Sequence, residues 1–389
     1  MWEERLIDHL EDRPAQLRDA KKKGIKVIGY FPGNYVPEEL IVAAGAIPVC
    51  LIDGGDNRSL EASLSAMPDI FCPFARNLVG NMLLKANPYY ELINMLIAPI
   101  TCQHLKKVAE IYEYYGDIEI FKLGVPHQNG NGPELEYFIK RLIALRERLR
   151  AVTENEITDE KIGSAIELYN RMREYLREIS MMRLSSCPPL DSLDFIKLNH
   201  ASFIADPAFV VDMLESVRTD LGRISANIDN TETDGVRLML IGPNISNIDY
   251  DLLEIIREAG GHIVIEEIYE GIRQYRRNIK DSGDPLKSLA EYYLLEKDPQ
   301  PAFMRYSSKK RLDFALEQID AFNVSAVIWY ELFCCETYDA EGYFFSKRME
   351  ERKIPMLVLE SDLGVAVDSR VRTRVEAFME MVKGGEWND

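Results

Sequence analysis

The chain alternates short apolar runs with longer stretches in which apolar residues recur at helical spacing. Residues 1–23 read as a charged helix, and Lys26–Tyr30 reads as a short buried strand. A loop containing Pro32, Gly33 and Pro37 follows, then a helical stretch Glu38–Ala44, a stop at Gly45 and a strand over Ala46–Leu51. Asn94–Pro99 and Ile118–Leu123 read as further strands. The second half repeats the plan. A strand over Val236–Ile241 leads into Gly242-Pro243-Asn244, a helix near Asp249–Glu258, Gly260-Gly261 and a strand over His262–Glu266. Val324–Tyr330 and Pro355–Glu360 are expected as strands on either side of a helical segment. Strands that alternate with helices predict parallel sheets.

Between the halves, residues 149–231 read mostly as helix. Ile162, Ile166, Tyr169, Met172 and Leu176 form one apolar face with charges between them. The expected fold class is therefore α/β, with two Rossmann/flavodoxin-like units, each built on a parallel sheet, joined by a helical segment. The expected boundaries are 1–148 for the first unit, with Cys72 and Cys102, 149–231 for the connecting helices, and 232–389 for the second unit, with Cys334 and Cys335. In each half a central strand runs directly into cysteine: Met95–Ala98 into Pro99-Ile100-Thr101-Cys102, and Val327–Tyr330 into Glu331-Leu332-Phe333-Cys334-Cys335. The carboxyl ends of strands are where open parallel sheets bind ligands. Matching placement in both halves suggests a duplicated architecture with a site between the units.

Composition narrows the function. Of 389 residues, 47% are hydrophobic and 28% charged, as in ordinary globular proteins. Lys+Arg is 46 against Asp+Glu 64, a formal charge of −18, so neither nucleic acid nor an anionic membrane is an expected partner. No continuous apolar stretch is long enough for a transmembrane helix, and the N-terminal residues lack the pattern of a signal peptide, so a cytoplasmic location is expected. In that compartment the six cysteines are thiols or metal ligands rather than disulfides. Cys102 falls at the start of a helix, where backbone N–H groups favour a thiolate. Cys72 precedes Pro73, which suits a first helical turn, so it too is cap-like. Thiols at element junctions suit an iron–sulfur cluster or zinc. No CxxC pair is present, and small buried core thiols are the competing reading.

Four segments carry a resemblance to a known family. They are Val27-Ile28-Gly29-Tyr30-Phe31 with Tyr35–Leu40 and Ala43–Val49, then Phe71-Cys72-Pro73-Phe74-Ala75-Arg76, then Thr101-Cys102-Gln103-His104-Leu105-Lys106-Lys107, and last Phe333-Cys334-Cys335-Glu336 with Ile354–Asp362 downstream. Together they resemble the D-component family of 2-hydroxyacyl-CoA dehydratases and benzoyl-CoA reductases. The resemblance implies a [4Fe–4S] cluster held by Cys72, Cys102 and Cys335, with one iron left open and Cys334 as the fallback ligand. It also implies an acyl-CoA substrate, a homologous sister subunit and a separate ATP-dependent iron–sulfur activator protein. The implied reaction is elimination of water from a 2-hydroxyacyl-CoA through a ketyl radical. The alternatives are reduction of an aromatic acyl-CoA and a non-catalytic electron-relay subunit. A zinc-binding structural protein fits poorly, because dispersed thiols are not a zinc-ribbon pattern.

The sequence departs from the family at two places. Phe31-Pro32-Gly33-Asn34 lacks the cysteine of many first motifs, and Tyr269 stands where a further cysteine often lies. A double-cubane cluster would need about six well-placed thiols; Cys50, within a strand, and Cys187, before Pro188-Pro189, read as structural. His104 is a candidate acid–base residue or a hydrogen-bond donor to the cluster, with a surface histidine as the competing reading. Glu38 and Glu39 complement the dipole of the helix they begin, unless one of them faces substrate; Glu39 is the residue taken as catalytic. Lys106/Lys107, Arg273/Arg276/Arg277 and Lys309/Lys310/Arg311 are expected as solvated faces, one of which could hold CoA phosphates or an acidic partner. No GxGxxG or P-loop lysine is present, so no direct ATP or NAD site is expected.

Overall fold

A computed structural model describes residues 2–52, 54–227, 235–363 and 369–385. The apolar runs become eight strands: β1 (Val27–Tyr30), β2 (Ile47–Cys50), β3 (Met95–Ile100), β4 (Glu119–Gly124), β5 (Val236–Ile241), β6 (Gly261–Glu267), β7 (Ala326–Leu332) and β8 (Met356–Ser361). They form two four-stranded sheets, ordered β2-β1-β3-β4 and β6-β5-β7-β8. Every pairing is parallel, with Ile28 opposite Met95 in the first sheet and Leu238 opposite Ala326 in the second. The inner strands are apolar because helices cover both of their faces; β1 and the first five residues of β3 are wholly buried. The two sheets share one topology, so the fold is α/β with two flavodoxin-like units.

The units are not separate bodies. One core cluster contains Phe31, Leu96 and Leu105 of the first unit together with Ile245, Ile328 and Leu363 of the second. The expected boundary at 148/149 falls inside a continuous helix, Pro133–Thr153. The next helix, Asp159–Met181, packs on Glu38–Ala43 of the first unit and on the later helix Pro207–Asn227. A segment of the second half, Pro285–Glu296, returns to the first unit, where Leu289 and Tyr293 pack with Ile28 and Phe138.

One close approach sets the position of a cysteine. The helices Asn57–Ser63 and Pro73–Leu84 meet at Gly80, where a Cβ would lie 1.8 Å from the Ser59 carbonyl oxygen. The Ser59 hydroxyl donates to Asn81 Oδ1 at 2.7 Å across the same contact. Only glycine permits this approach, and the helix so placed starts at Cys72.

The basic runs are not uniformly solvated. Lys309, Lys310 and Arg277 are exposed, but Arg311 and Arg273 are fully buried. Arg311 pairs with Glu267 and Glu341, and Arg273 pairs with Glu267. A second buried pair joins Arg183 to Glu266, with the Tyr275 hydroxyl donating to the same carboxylate at 2.6 Å. Glu266 and Glu267 end β6, so buried guanidinium groups surround that edge of the sheet. Desolvating such charges is costly unless their hydrogen bonds are made, which is why the carboxylates come with them.

Candidate functional site

Two strand-to-helix connections and one helix-to-helix connection, that between Asn57–Ser63 and Pro73–Leu84, bring the site together. Cys72 is the N-cap of the helix Pro73–Leu84, Cys102 that of Gln103–Tyr115, and Cys335 that of Glu336–Glu351. Cys102 follows β3 and Cys335 follows β7, the equivalent inner strands of the two sheets. All three line one pocket at the carboxyl ends of both sheets. Cys72 is buried, and the other two thiols are half-buried.

Each sulfur sits at the start of its own helix. The Leu105 N–H donates to Cys102 Sγ at 3.4 Å. The N–H groups of Ala75 and Tyr338 favour the ionised forms of Cys72 and Cys335 in the same way. Burial opposes this and raises Cys102. Cys72 and Cys335 share a hydrogen bond, which pushes Cys72 well up and lowers Cys335; a pair of thiols sharing one proton ionises in two steps. Cys334 does not line the pocket. Its backbone is left-handed, with φ 55°, and this turn places the adjacent side chains differently. Cys50 and Cys187 lie outside the pocket as well.

His104 is in the pocket wall. Its Nδ1 accepts the Cys72 N–H at 3.2 Å, and its ring packs on Phe71 with centroids 4.8 Å apart. Accepting at Nδ1 leaves the proton of the neutral ring on Nε2. Burial lowers the histidine further, which favours that neutral form. The structure does not bring Glu39 to this pocket. Its carboxylate is fully buried, paired with Arg173, and accepts the Tyr293 hydroxyl at 2.8 Å.

Several wall residues escaped the sequence reading. Pro243 and Asn244 line the pocket from the turn after β5, as Pro32 and Gly33 do from the turn after β1. The positional match between those two turns was the available signal. Tyr269, Phe303, Leu332 and Thr337 complete much of the wall. Both places where the family pattern would put another cysteine are thus wall positions, filled by Pro32-Gly33 and Tyr269.

A smaller cavity lies behind, sharing Pro32 and Gly33 with the cysteine pocket. Glu38, Glu270 and Lys297 line it. Burial pushes Glu38 up to about 7 and Glu270 up to about 8, and lowers Lys297 well below its usual range. Glu38 accepts the Tyr30 hydroxyl at 2.5 Å. Glu270 accepts from the Asn244 side-chain amide, and its other oxygen has no protein partner. Lys297 donates to Gln274 Oε1 at 2.7 Å and to the Asn34 carbonyl at 3.1 Å.

Among the described residues, no group of three or more His, Cys, Asp or Glu side chains is gathered around a point as a single metal ion requires. No helix among them is long and apolar enough to cross a membrane. The fold and pocket define a two-unit α/β protein whose joint carries three thiols, each on the residue that precedes a helix.

Comparison with known proteins gives that class a family. Residues 34–382 match the family of the 2-hydroxyglutaryl-CoA dehydratase D-component, and the chain belongs to it. Its relatives include the (R)-phenyllactyl-CoA dehydratase beta subunit of Clostridium sporogenes, 27% identical over 94% of each chain. A benzoyl-CoA reductase subunit of Thauera aromatica is 21% identical over 98% of this chain and 97% of its own. The (R)-2-hydroxyglutaryl-CoA dehydratase beta subunit of Acidaminococcus fermentans is 21% identical over 94% of this chain and 95% of its own.

Proposed function

We propose that this chain is the iron–sulfur subunit of an ATP-activated 2-hydroxyacyl-CoA dehydratase, with Cys72, Cys102 and Cys335 holding a [4Fe–4S] cluster. The observation that carries the reading is the convergence of these thiols, from both units, on one pocket. The donor set fits the group: sulfur ligands suit iron–sulfur clusters. The three thiols line one pocket, with Cys72 and Cys335 close enough to share a hydrogen bond, and cysteines dispersed along the chain in this way are not a zinc-ribbon pattern. When bound, the cluster supplies low-potential electrons and a Lewis-acidic iron for a CoA thioester.

The chain's own residues supply the rest. Backbone N–H groups at the three helix starts favour thiolates. Phe74, Leu105, Phe303 and Leu332 keep much of the wall apolar and limit water around the reacting group. His104 holds a proton on Nε2 at the wall and is the proposed acid–base residue. Glu39 anchors Arg173 and Tyr293 away from the pocket wall.

A homologous sister subunit belongs to the same reading, supported by relatives that are themselves named as beta or C subunits; a separate ATP-dependent activator and a cytoplasmic location complete it. An aromatic acyl-CoA reductase is the second reading, favoured by the match to the benzoyl-CoA reductase component along nearly the whole chain.

Anaerobically purified protein tests the proposal through its iron and acid-labile sulfide content and its low-temperature EPR spectrum. About four of each per chain are expected, lost in Cys72→Ser, Cys102→Ser and Cys335→Ser but kept in Cys334→Ser. Iron-free protein after careful reconstitution would refute it.

A further inference from the structure

Tyr269 comes just after β6 and lines the cysteine pocket. Both its backbone and its ring are held. The side-chain amide of Asn34, from the first unit, donates to its carbonyl oxygen. The ring meets that of Tyr338 edge to face, with centroids 6.1 Å apart. The Arg273 guanidinium lies 5.2 Å from the ring centre, and its pairing with Glu267 keeps it buried there. The side chain is therefore presented to the pocket in a fixed way, with a cation beside its ring.

The hydroxyl is the informative atom. Among the described residues it has no hydrogen-bond partner. The hydroxyls of Tyr169 and Tyr338 lack one too, but those are enclosed, whereas Tyr269 is half-buried and the space it lines is the pocket. The negative charge of a thiolate at Cys335 or at Cys102 would raise this phenol, so both sulfurs lie within electrostatic reach of it. A phenol is neutral near pH 7 in any case, and burial holds this one higher still. It offers the pocket an O–H donor rather than a phenolate ligand.

Charge says what such a donor does. An iron–sulfur group held by thiolates carries negative charge on its sulfurs and gains more on reduction. A hydrogen bond to sulfur therefore stabilises the reduced form more than the oxidised one. We propose that the Tyr269 hydroxyl donates a hydrogen bond to sulfur of the group held by Cys72, Cys102 and Cys335, and so makes that group easier to reduce. Tyr269 is thereby a tuning residue of the site, working alongside the backbone N–H groups at the helix starts. The proposal rests on the cluster reading above. It concerns the ease of electron uptake and not the identity of the acyl group.

Tyr269→Phe removes the hydroxyl and keeps the ring. The full chain, reconstituted anaerobically, is compared with this variant by an EPR-monitored redox titration with dithionite as reductant. The reduced proteins are then exchanged into heavy water and examined by electron spin-echo envelope modulation, which detects exchangeable deuterons close to the unpaired spin. Tyr269→Phe is expected to keep the wild-type iron content and to be about tenfold harder to reduce, a midpoint lower by about 59 mV for a one-electron couple. It is also expected to lose a deuteron coupling that the wild type shows, which a change in packing alone would not remove. An unmoved midpoint or an unchanged deuteron signal in iron-loaded Tyr269→Phe would overturn this proposal and leave the cluster assignment standing. Loss of iron from Tyr269→Phe would overturn it as well, by making the phenol a ligand. Wild type that never takes up iron would overturn both.

Discussion

Gly80→Ala isolates the contact that positions Cys72. In an ordinary helix this change stabilises by up to about 1 kcal/mol, because alanine has the higher helix propensity. Here the new methyl would lie 1.8 Å from the Ser59 carbonyl oxygen, where ordinary contact begins near 3.4 Å. The two helices must therefore open by about 1.6 Å at that point. The obstacle is backbone, so no side-chain rotation relieves it. Overpacking costs typically about 1–3 kcal/mol, and a backbone clash belongs at the upper end. After the propensity gain, a net loss of roughly 2 kcal/mol is expected. Urea unfolding of the metal-free chain followed by far-UV circular dichroism measures the loss in its first transition. Thiol labelling should show Cys72 reacting faster as its helix shifts. A variant as stable as wild type, or more stable, would refute the reasoning, because helix propensity would then outweigh the contact.

Two further expectations concern buried carboxyl groups. Glu270 has a folded pKa of about 8, well above its unfolded value, so between the two the folded chain holds the extra proton. That contribution is complete below the unfolded pKa, weakens with a slope of up to about 1.4 kcal/mol per pH unit as pH rises, and levels off near pH 8. Glu270→Gln should flatten the stability profile between pH 5 and pH 8 when unfolding is measured across that range; an unchanged slope would count against a neutral Glu270. Glu39→Gln leaves Arg173 with an uncompensated buried charge and should destabilise by roughly 3–5 kcal/mol, while iron content stays at the wild-type level. Loss of iron from a folded Glu39→Gln variant would instead place this carboxylate at the cysteine pocket.

The cysteines were legible because each combined a reactive residue type with a boundary between elements. The apolar runs marked the strands, and Pro73 marked a helix start, so Cys102 and Cys335 could be placed at strand ends and Cys72 at a helix start before any contact was known. The ion-pair network was not legible. Arg311 sits beside Lys309 and Lys310, and a run of like charges normally faces water. Yet Arg311 shares its helix face with Phe314 and Ala315, both buried, and its partner Glu267 ends a buried strand. The pairing joins residues far apart in sequence, and local pattern carries no record of that. Glu39 was misplaced for a related reason. Two adjacent carboxylates in a first turn point in different directions, and only the packing of Arg173 and Tyr293 decides which one is buried in a pair. Similarly, Pro285–Glu296 reads as part of the second half but packs on the first, so the division into domains by sequence order was too simple.

The origin of the three thiols also imposes an order in time. During synthesis the segment with Cys72 and Cys102 emerges first. More than two hundred residues must then follow before Cys335 leaves the ribosome. Until β7 pairs with β5, a nascent chain presents two sulfurs and an open wall. Any group that needs all three must arrive after β7 has joined β5 and brought Cys335 to the wall. Once held, it fastens the two ends of that long loop together and restricts the unfolded chain as a covalent staple would.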